Sequence, residues 1–126
     1  MSKVLVIDDD PMIVAIYEKL FLAQGYEVAV ANDGEQGLVA VEEFKPDVVL
    51  LDLNLPNLSG TAWLRHIRKH PGLRKLPVVV LTAGTFAVQV KSALDAGATQ
   101  VLSKARQTAA QVGEAVRIAL TAGSLI

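Results

Sequence analysis

Four carboxylates, a threonine and a lysine stand where apolar runs end. Asp8, Asp9 and Asp10 follow the run Val4–Ile7, and Asp52 follows Val48–Leu51. Thr82 follows Val78–Leu81, and Ser103 and Lys104 follow Thr99–Leu102. If Asp8, Asp9 and Asp52 converge, the cluster needs a counter-charge. Two carboxylates about 4 Å apart repel by roughly 4 kcal/mol at an effective dielectric near 20. Such a group persists when one member takes up a proton or a cation sits among them. A hard divalent ion with oxygen ligands fits, and Mg²⁺ fits best, because it is commonly held by one or two carboxylates plus phosphate oxygens. A carboxylate beside that ion can attack phosphorus and form an acyl phosphate. On this reading Asp52 attacks, Asp9 binds the metal directly and Asp8 supports it. Thr82 and Lys104 hold the phosphoryl oxygens, whose charge grows during transfer. Asp10, just before Pro11, reads as a helix cap rather than a ligand.

These residues come together only if the runs that precede them share one sheet. The apolar runs are Val4–Ile7, Glu27–Ala31, Val48–Leu51, Val78–Leu81 and Thr99–Leu102. Three are continuously apolar, as expected of strands covered on both faces, while the second and fifth are less uniform and suit sheet edges. Helical spacing separates them: Ile13, Ile16, Leu20 and Ala23; Leu38, Val41 and Phe44; Leu64 and Ile67; Val90 and Leu94, closed by Gly97; and Val112, Ala115, Val116, Ala119 and Leu120. Gly25 and Gly97 sit where helices should stop. Pro46, Pro71 and Pro77 fall in connections. Alternating strands and helices predict an α/β fold, a parallel sheet wound by helices on both sides. In such sheets ligands bind beyond the carboxyl ends of the strands, where the four carboxylates, Thr82 and Lys104 all lie. The strands ending at Asp8 and Asp52 are expected to be neighbours. Thr121–Ile126 reads as a frayed end or the start of a further segment.

The bulk numbers narrow the function classes. The chain has 126 residues, 52 % hydrophobic and 20 % charged, and suits one domain with one core. A formal net charge of −1 offers no global attraction to nucleic acid or to an anionic membrane. The absence of cysteine excludes disulfides, thiolate metal sites and a cysteine nucleophile. No apolar run approaches the roughly 20 residues that span a bilayer. The short apolar start lacks the form of a signal peptide. A soluble, cytoplasmic protein is the simplest expectation.

The stretches "VLVIDDDP", "GYEVAVANDGEQGL", "PDVVLLDLNLPNLSG", "PVVVLTA" and "ALDAGATQVLSK", in this order and spacing, resemble the response-regulator receiver domain of two-component signalling, over essentially the whole chain. The resemblance implies a single receiver domain over residues 1–126, with a doubly wound, flavodoxin-like sheet of order 2-1-3-4-5. It implies that Asp52 takes a phosphoryl group from a phosphohistidine on a sensor histidine kinase or histidine phosphotransfer protein. The Mg²⁺ ligands would be Asp9, Asp52 and the main-chain carbonyl of Asn54, with Asp8 in support. Thr82 would move toward the phosphate, Lys104 would pair with it, and Ala83, next to Thr82, is expected at the cofactor. Pro56 and Gly60 match the family's loop after the phosphorylated strand. The domain would be a regulator rather than an enzyme, catalysing only its own phosphorylation and dephosphorylation, and would signal to a downstream protein. No direct contact with nucleic acid or membrane is implied.

Two positions depart from the family. Val101 stands where an aromatic side chain usually follows the movement of the threonine. Ala105 stands where a proline joined by a cis peptide usually follows the lysine. A cis bond at a non-proline residue costs about 3–4 kcal/mol, so trans is expected. The usual threonine–aromatic relay is therefore missing, and a backbone or loop rearrangement would carry the signal instead. Gly84 leaves room beside the phosphoryl site.

Plainer readings stand beside these. Asp52 taken alone is a strand-end carboxylate in an Asx-type turn. His66 and His70, among Arg65, Arg68 and Lys69, suggest a basic, solvated helix face before any metal or phosphohistidine role. Trp63 suits either packing under a loop or display to a partner. Lys91, Asp95 and Arg106 suit either a partner-facing surface or plain solvation. Two other function classes remain. An aspartate-nucleophile phosphatase would want a carboxylate at position 54, which is Asn. A phosphate-independent interaction module would be compatible with Val101 and Ala105. A flavodoxin-type cofactor carrier would meet repulsion between Asp8–Asp10 and its phosphate.

Overall fold

The computed structural model describes residues 1–83 and 86–124. Five strands alternate with five helices: β1 (Lys3–Ile7), α1 (Pro11–Ala23), β2 (Glu27–Ala31), α2 (Gly34–Phe44), β3 (Val48–Leu51), α3 (Gly60–Lys69), β4 (Val78–Thr82), α4 (Phe86–Ala96), β5 (Gln100–Ser103) and α5 (Ala109–Ser124). A 3-10 turn, Pro71–Leu73, lies between α3 and β4. The strands form one parallel sheet in the order β2-β1-β3-β4-β5. The two less uniform runs are indeed the edges.

Side chains alternate across a strand, so a continuously apolar strand feeds two cores. Leu5, Ile7, Val49, Leu51, Val78 and Val80 pack with Val41 of α2, Trp63, Leu64 and Ile67 of α3, and Ala93 and Ala96 of α4. Val4, Val6, Val48, Leu50, Val79 and Leu81 pack on the opposite face with Tyr17 and Phe21 of α1 and with Val112, Ala115, Val116 and Ala119 of α5. Val4, Leu5, Val6 and Ile7 are all 0–1 % exposed. Each such side chain contributes roughly 1.5–3 kcal/mol relative to exposure. The sheet ends that carry the polar residues are thereby held rigid.

Helix boundaries follow the expected signals. Asp10 caps α1, accepting the Met12 N–H, with Pro11 in the first turn. Gly25 and Gly97 take positive φ, +89° and +109°, just past α1 and α4. The helical faces differ in detail. In α1 the buried residues are Tyr17 and Phe21, while Ile16 is 47 % exposed and Ala23 also faces solvent. In α4 Ala93 and Ala96 are buried and Leu94 is 49 % exposed. Each shift is about one residue, or 100° of helix rotation, which a short apolar pattern leaves open. Residues 121–124 continue α5, while 125 and 126 lie outside the described residues, as does Gly84.

Arg68 departs most from the sequence expectation. Arg65, His66, Lys69 and His70 are exposed, as a solvated basic face requires, but Arg68 is not. Its Nε and Nη2 donate to the Gly97 carbonyl at 3.0 and 2.8 Å, and its Nη1 donates to the carbonyls of Leu73 and Arg74 at 3.0 and 3.2 Å. It therefore fastens α3 to the end of α4. A Cβ at position 97 would lie 2.7 Å from Arg68 Cγ, so the close approach needs glycine there. Trp63 is fully buried in the core between α2 and α3, which decides against display to a partner.

Candidate functional site

The polar residues meet because adjacent strands are in register. Ile7 pairs with Leu51, and the Asp52 N–H donates to the Ile7 carbonyl at 2.9 Å. The residues that follow each strand, Asp8 and Asp52, therefore emerge side by side. Thr82 pairs with Ser103 across β4 and β5, and the Lys104 N–H donates to the Thr82 carbonyl at 2.9 Å. This sets the backbone of Lys104 beyond β4, and its side chain crosses back toward the carboxylates. Gly60 closes the loop after Asp52: its N–H donates to the Leu53 carbonyl, and a Cβ there would lie 2.4 Å from the Asp52 carbonyl.

Asp8, Asp9 and Asp52 each offer an oxygen, and these oxygens lie within 4.8 Å of one another. Asp8 and Asp52 are 3 % and 4 % exposed, whereas Asp9 is on the surface. Lys104 Nζ lies 3.1 Å from Asp8 Oδ2 and 3.6 Å from Asp52 Oδ2. Asp8 Oδ1 accepts the Asp10 N–H at 2.9 Å, and Asp52 Oδ1 accepts the Asn54 N–H at 3.3 Å. Both buried carboxylates are thus oriented by backbone on one oxygen and by an ammonium on the other. Lys104 is closer to Asp8 than to Asp52, a detail the strand pattern does not contain. Asn54 and Ala83 lie exposed at the rim, next to Asp52 and Thr82 respectively.

Charge remains in excess. Burial first, and then the Asp8 charge, push the Asp52 carboxyl above its ordinary 3.8; Lys104 and the Asn54 N–H pull the other way without cancelling this. Burial disfavours the Lys104 ammonium, but hydrogen bonding and charge from Asp8 and Asp52 outweigh it and hold its pKa above 10.5. One ammonium facing three carboxylates leaves a site that favours a further cation. All three donors are hard oxygens with no imidazole or thiolate among them, a set that suits Mg²⁺ rather than zinc. The residues present therefore fit the metal that the sequence suggested.

Thr82 is fully buried at the end of β4. Its hydroxyl donates to Gln89 Oε1 of α4 at 2.9 Å, a partner that sequence reasoning missed. Tyr17 was also missed. Burial raises its pKa above 10.0, with Lys104 and Asp8 among the charges it feels. A polar residue in an apolar helical stripe was the one available signal for it. Val101 is half-buried and packs into the core beside α4. The peptide bond before Ala105 is trans, as expected. His66 and His70 do not join the carboxylates. His70 lines a cleft of about 400 Å³ with Pro46, Leu73 and Leu76, residues that precede strands, so it lies at the opposite end of the sheet.

Comparison with known proteins agrees with this geometry. The family model for the response regulator receiver domain matches residues 4–116. The chain is 40 % identical over 103 residues to the DNA-binding response regulator MtrA of Mycolicibacterium smegmatis, covering 82 % of this chain and 44 % of that protein. It is 42 % identical over 104 residues to the transcriptional regulatory protein KdpE of Mycobacterium tuberculosis, covering 82 % and 45 %. The chain thus spans less than half the length of these curated relatives. A solved response regulator receiver domain from Clostridium thermocellum superposes with a TM-score of 0.87 at 31 % identity, over 99 % of this chain and 98 % of that one. The strand order, the register that gathers the strand-end residues and these likenesses agree: the chain belongs to the response regulator receiver domain family.

Proposed function

We propose that residues 1–126 act as one phosphoacceptor unit of a two-component phosphorelay, with Asp52 as the acceptor. The observation that carries this is the placing of Asp52: buried at the tip of β3, with carboxylate oxygens of Asp8 and Asp9 within 4.8 Å and Lys104 Nζ at 3.6 Å. An Asp52 oxygen attacks the phosphorus of a phosphohistidine. The new P–O bond forms as the P–N bond breaks, and its electron pair stays on the imidazole. Lys104 offers an ammonium to the equatorial oxygens, and Asp8 holds that ammonium in place. Mg²⁺, held by Asp9 and Asp52 with the Asn54 carbonyl and with Asp8 in support, would neutralise the charge that develops on the phosphoryl group. Thr82 supplies a hydroxyl to the phosphoryl group, with Ala83 beside it. Water attack on the same phosphorus would return the free carboxylate.

The donor would be a sensor histidine kinase or a histidine phosphotransfer protein, and the output a protein contact. A net charge of −1 supports no direct role with nucleic acid. Among the described residues no helix is long and apolar enough to cross a membrane. The proposal places the chain in the cytoplasm. The phosphatase alternative lacks its second carboxylate, since position 54 is Asn.

Acetyl phosphate with Mg²⁺ tests the reading. Intact mass should rise by one phosphate, in a form released by hydroxylamine, and Asp52→Asn should show no rise. A chain that takes up no phosphate would leave the interaction-module reading in its place, and equal uptake by Asp52→Asn would move the acceptor to another residue and overturn the Asp52 assignment.

A further inference from the structure

The family's usual signalling route passes from the threonine to an aromatic side chain on the fifth strand, and here that position is Val101. Val101 has no polar atom and is packed into the core. The structure instead joins Thr82 to α4. Thr82 Oγ1 donates to Gln89 Oε1 at 2.9 Å, and Gln89 lies in the first turn of α4 (Phe86–Ala96). The backbone of Thr82 is held by its pairing with Ser103 and by the Lys104 N–H on its carbonyl.

We propose that Gln89 is a positioning residue for Thr82, a catch that holds the hydroxyl on α4 until a phosphoryl group on Asp52 draws it off, and that transmits the change to the start of α4. The inference rests on Asp52 being the phosphoacceptor. A threonine hydroxyl has a single proton to donate. It cannot serve Gln89 and a phosphoryl oxygen together in full. The phosphoryl oxygen is charged, and hydrogen bonds to charged acceptors are roughly twice as strong as neutral ones. Phosphorylation therefore moves the proton donor from Gln89 to the phosphate by a change of χ1 between staggered positions. Gln89 then loses its Thr82 contact, and the first turn of α4 loses a tie to β4. A side chain on the helix replaces the missing aromatic on the strand.

Two measurements on the full chain test this. In the first, Thr82 χ1 is read from three-bond methyl couplings without any phosphoryl donor. The wild-type chain should show one rotamer and Gln89→Met a shifted rotamer population; averaging already in the wild type, or an unchanged population in Gln89→Met, would overturn the catch. In the second, affinity for beryllofluoride with Mg²⁺ and the rate of mass gain from acetyl phosphate are compared across a double-mutant cycle. Gln89→Met should raise both by about fivefold, the worth of one neutral hydrogen bond. The same substitution in a Thr82→Val background should change neither by more than about twofold, whereas a merely structural effect would persist there. No effect of Gln89→Met on the parent, or an equal effect without the Thr82 hydroxyl, overturns the proposal. A parent chain that takes up no phosphate overturns the Asp52 reading first and this inference with it, while the coupling data still report whether Gln89 holds Thr82.

Discussion

Lys104 and Arg68 are both drawn inward from the surface of this protein, and their partners differ in kind. Lys104 points at two buried carboxylates, 3.1 and 3.6 Å away. Arg68 points at three main-chain carbonyls, those of Gly97, Leu73 and Arg74. Burial alone lowers the Arg68 pKa, and no acid answers it. At Lys104 the carboxylates more than reverse the effect of burial. Backbone acceptors cannot leave and carry no net charge, so Arg68 makes a fixed joint between α3 and α4. Carboxylates can exchange an ammonium for a metal or share it with a phosphoryl group, so Lys104 sits in a site that can change. The guanidinium's fan of five donors suits the first task, and a compact ammonium on a flexible stem suits the second.

Four measurements would break or sharpen that contrast. The largest effect is expected on phosphoryl uptake from acetyl phosphate: Lys104→Met should slow it by roughly 10²–10³-fold, as loss of a charge-stabilising donor does. Arg68→Met should leave that rate within about threefold, because Arg68 touches nothing in the site. Equal losses would refute the division between joint and site.

Stability should rank the two the other way. Arg68→Met leaves the three carbonyls without their charged donor and should cost about 2–4 kcal/mol, or roughly 8–15 °C in a thermal melt. Lys104→Met should be milder, and Mg²⁺ should restore part of its loss by replacing the missing positive charge. A Lys104 variant indifferent to Mg²⁺ would argue against the acidic cluster as a cation site.

The third measurement concerns pH. Asp52 has a folded pKa raised above 3.8, so its ionisation opposes folding. The sign is opposite to that of a salt-bridged acid: its unfavourable contribution is present above the raised pKa and fades as pH falls toward 3.8. Asp52→Asn should therefore melt higher than the parent at pH 7 in EDTA, by a few degrees, and the gap should close toward pH 4. Constant separation between the two melts would mean that Asp52 is not burdened by Asp8 and burial. The smallest effect belongs to a surface pair. Lys91 and Asp95 lie 3.6 Å apart with side chains 80 % and 64 % exposed, and Lys91→Ala should change stability by less than about 1 kcal/mol.

Much of this could be read before any coordinates. Apolar runs with no alternation announced strands buried on both faces, and the two mixed runs announced the edges. Asp10-Pro11, Gly25 and Gly97 marked helix ends through backbone chemistry that acts within a few residues. The placing of Asp8, Asp9, Asp52, Thr82 and Lys104 at one end of the sheet followed from parallel strands sharing one carboxyl end, and it brought the carboxylates and the Lys104 ammonium together. What escaped were choices made between elements. Tyr17 rather than Ile16 faces the core, and Leu94 lies outside, because a helix can rotate by one residue without spoiling a short apolar pattern. In the sequence Arg68 belongs to a solvated basic set, since nothing local distinguishes it from Arg65.

The sequence by itself determined which residues end strands, where helices begin and stop, and therefore which polar side chains share one end of the sheet. Those signals are local and act through backbone sterics and alternation. Only the tertiary structure decided that Lys104 leans on Asp8 more closely than on Asp52, that Arg68 binds the turn at Gly97, and that Thr82 gives its proton to Gln89. Each of these is a contact between side chains and elements far apart in the chain or rotated about their own axes. Helix docking over the sheet sets their distances, and that is a property of the packed whole.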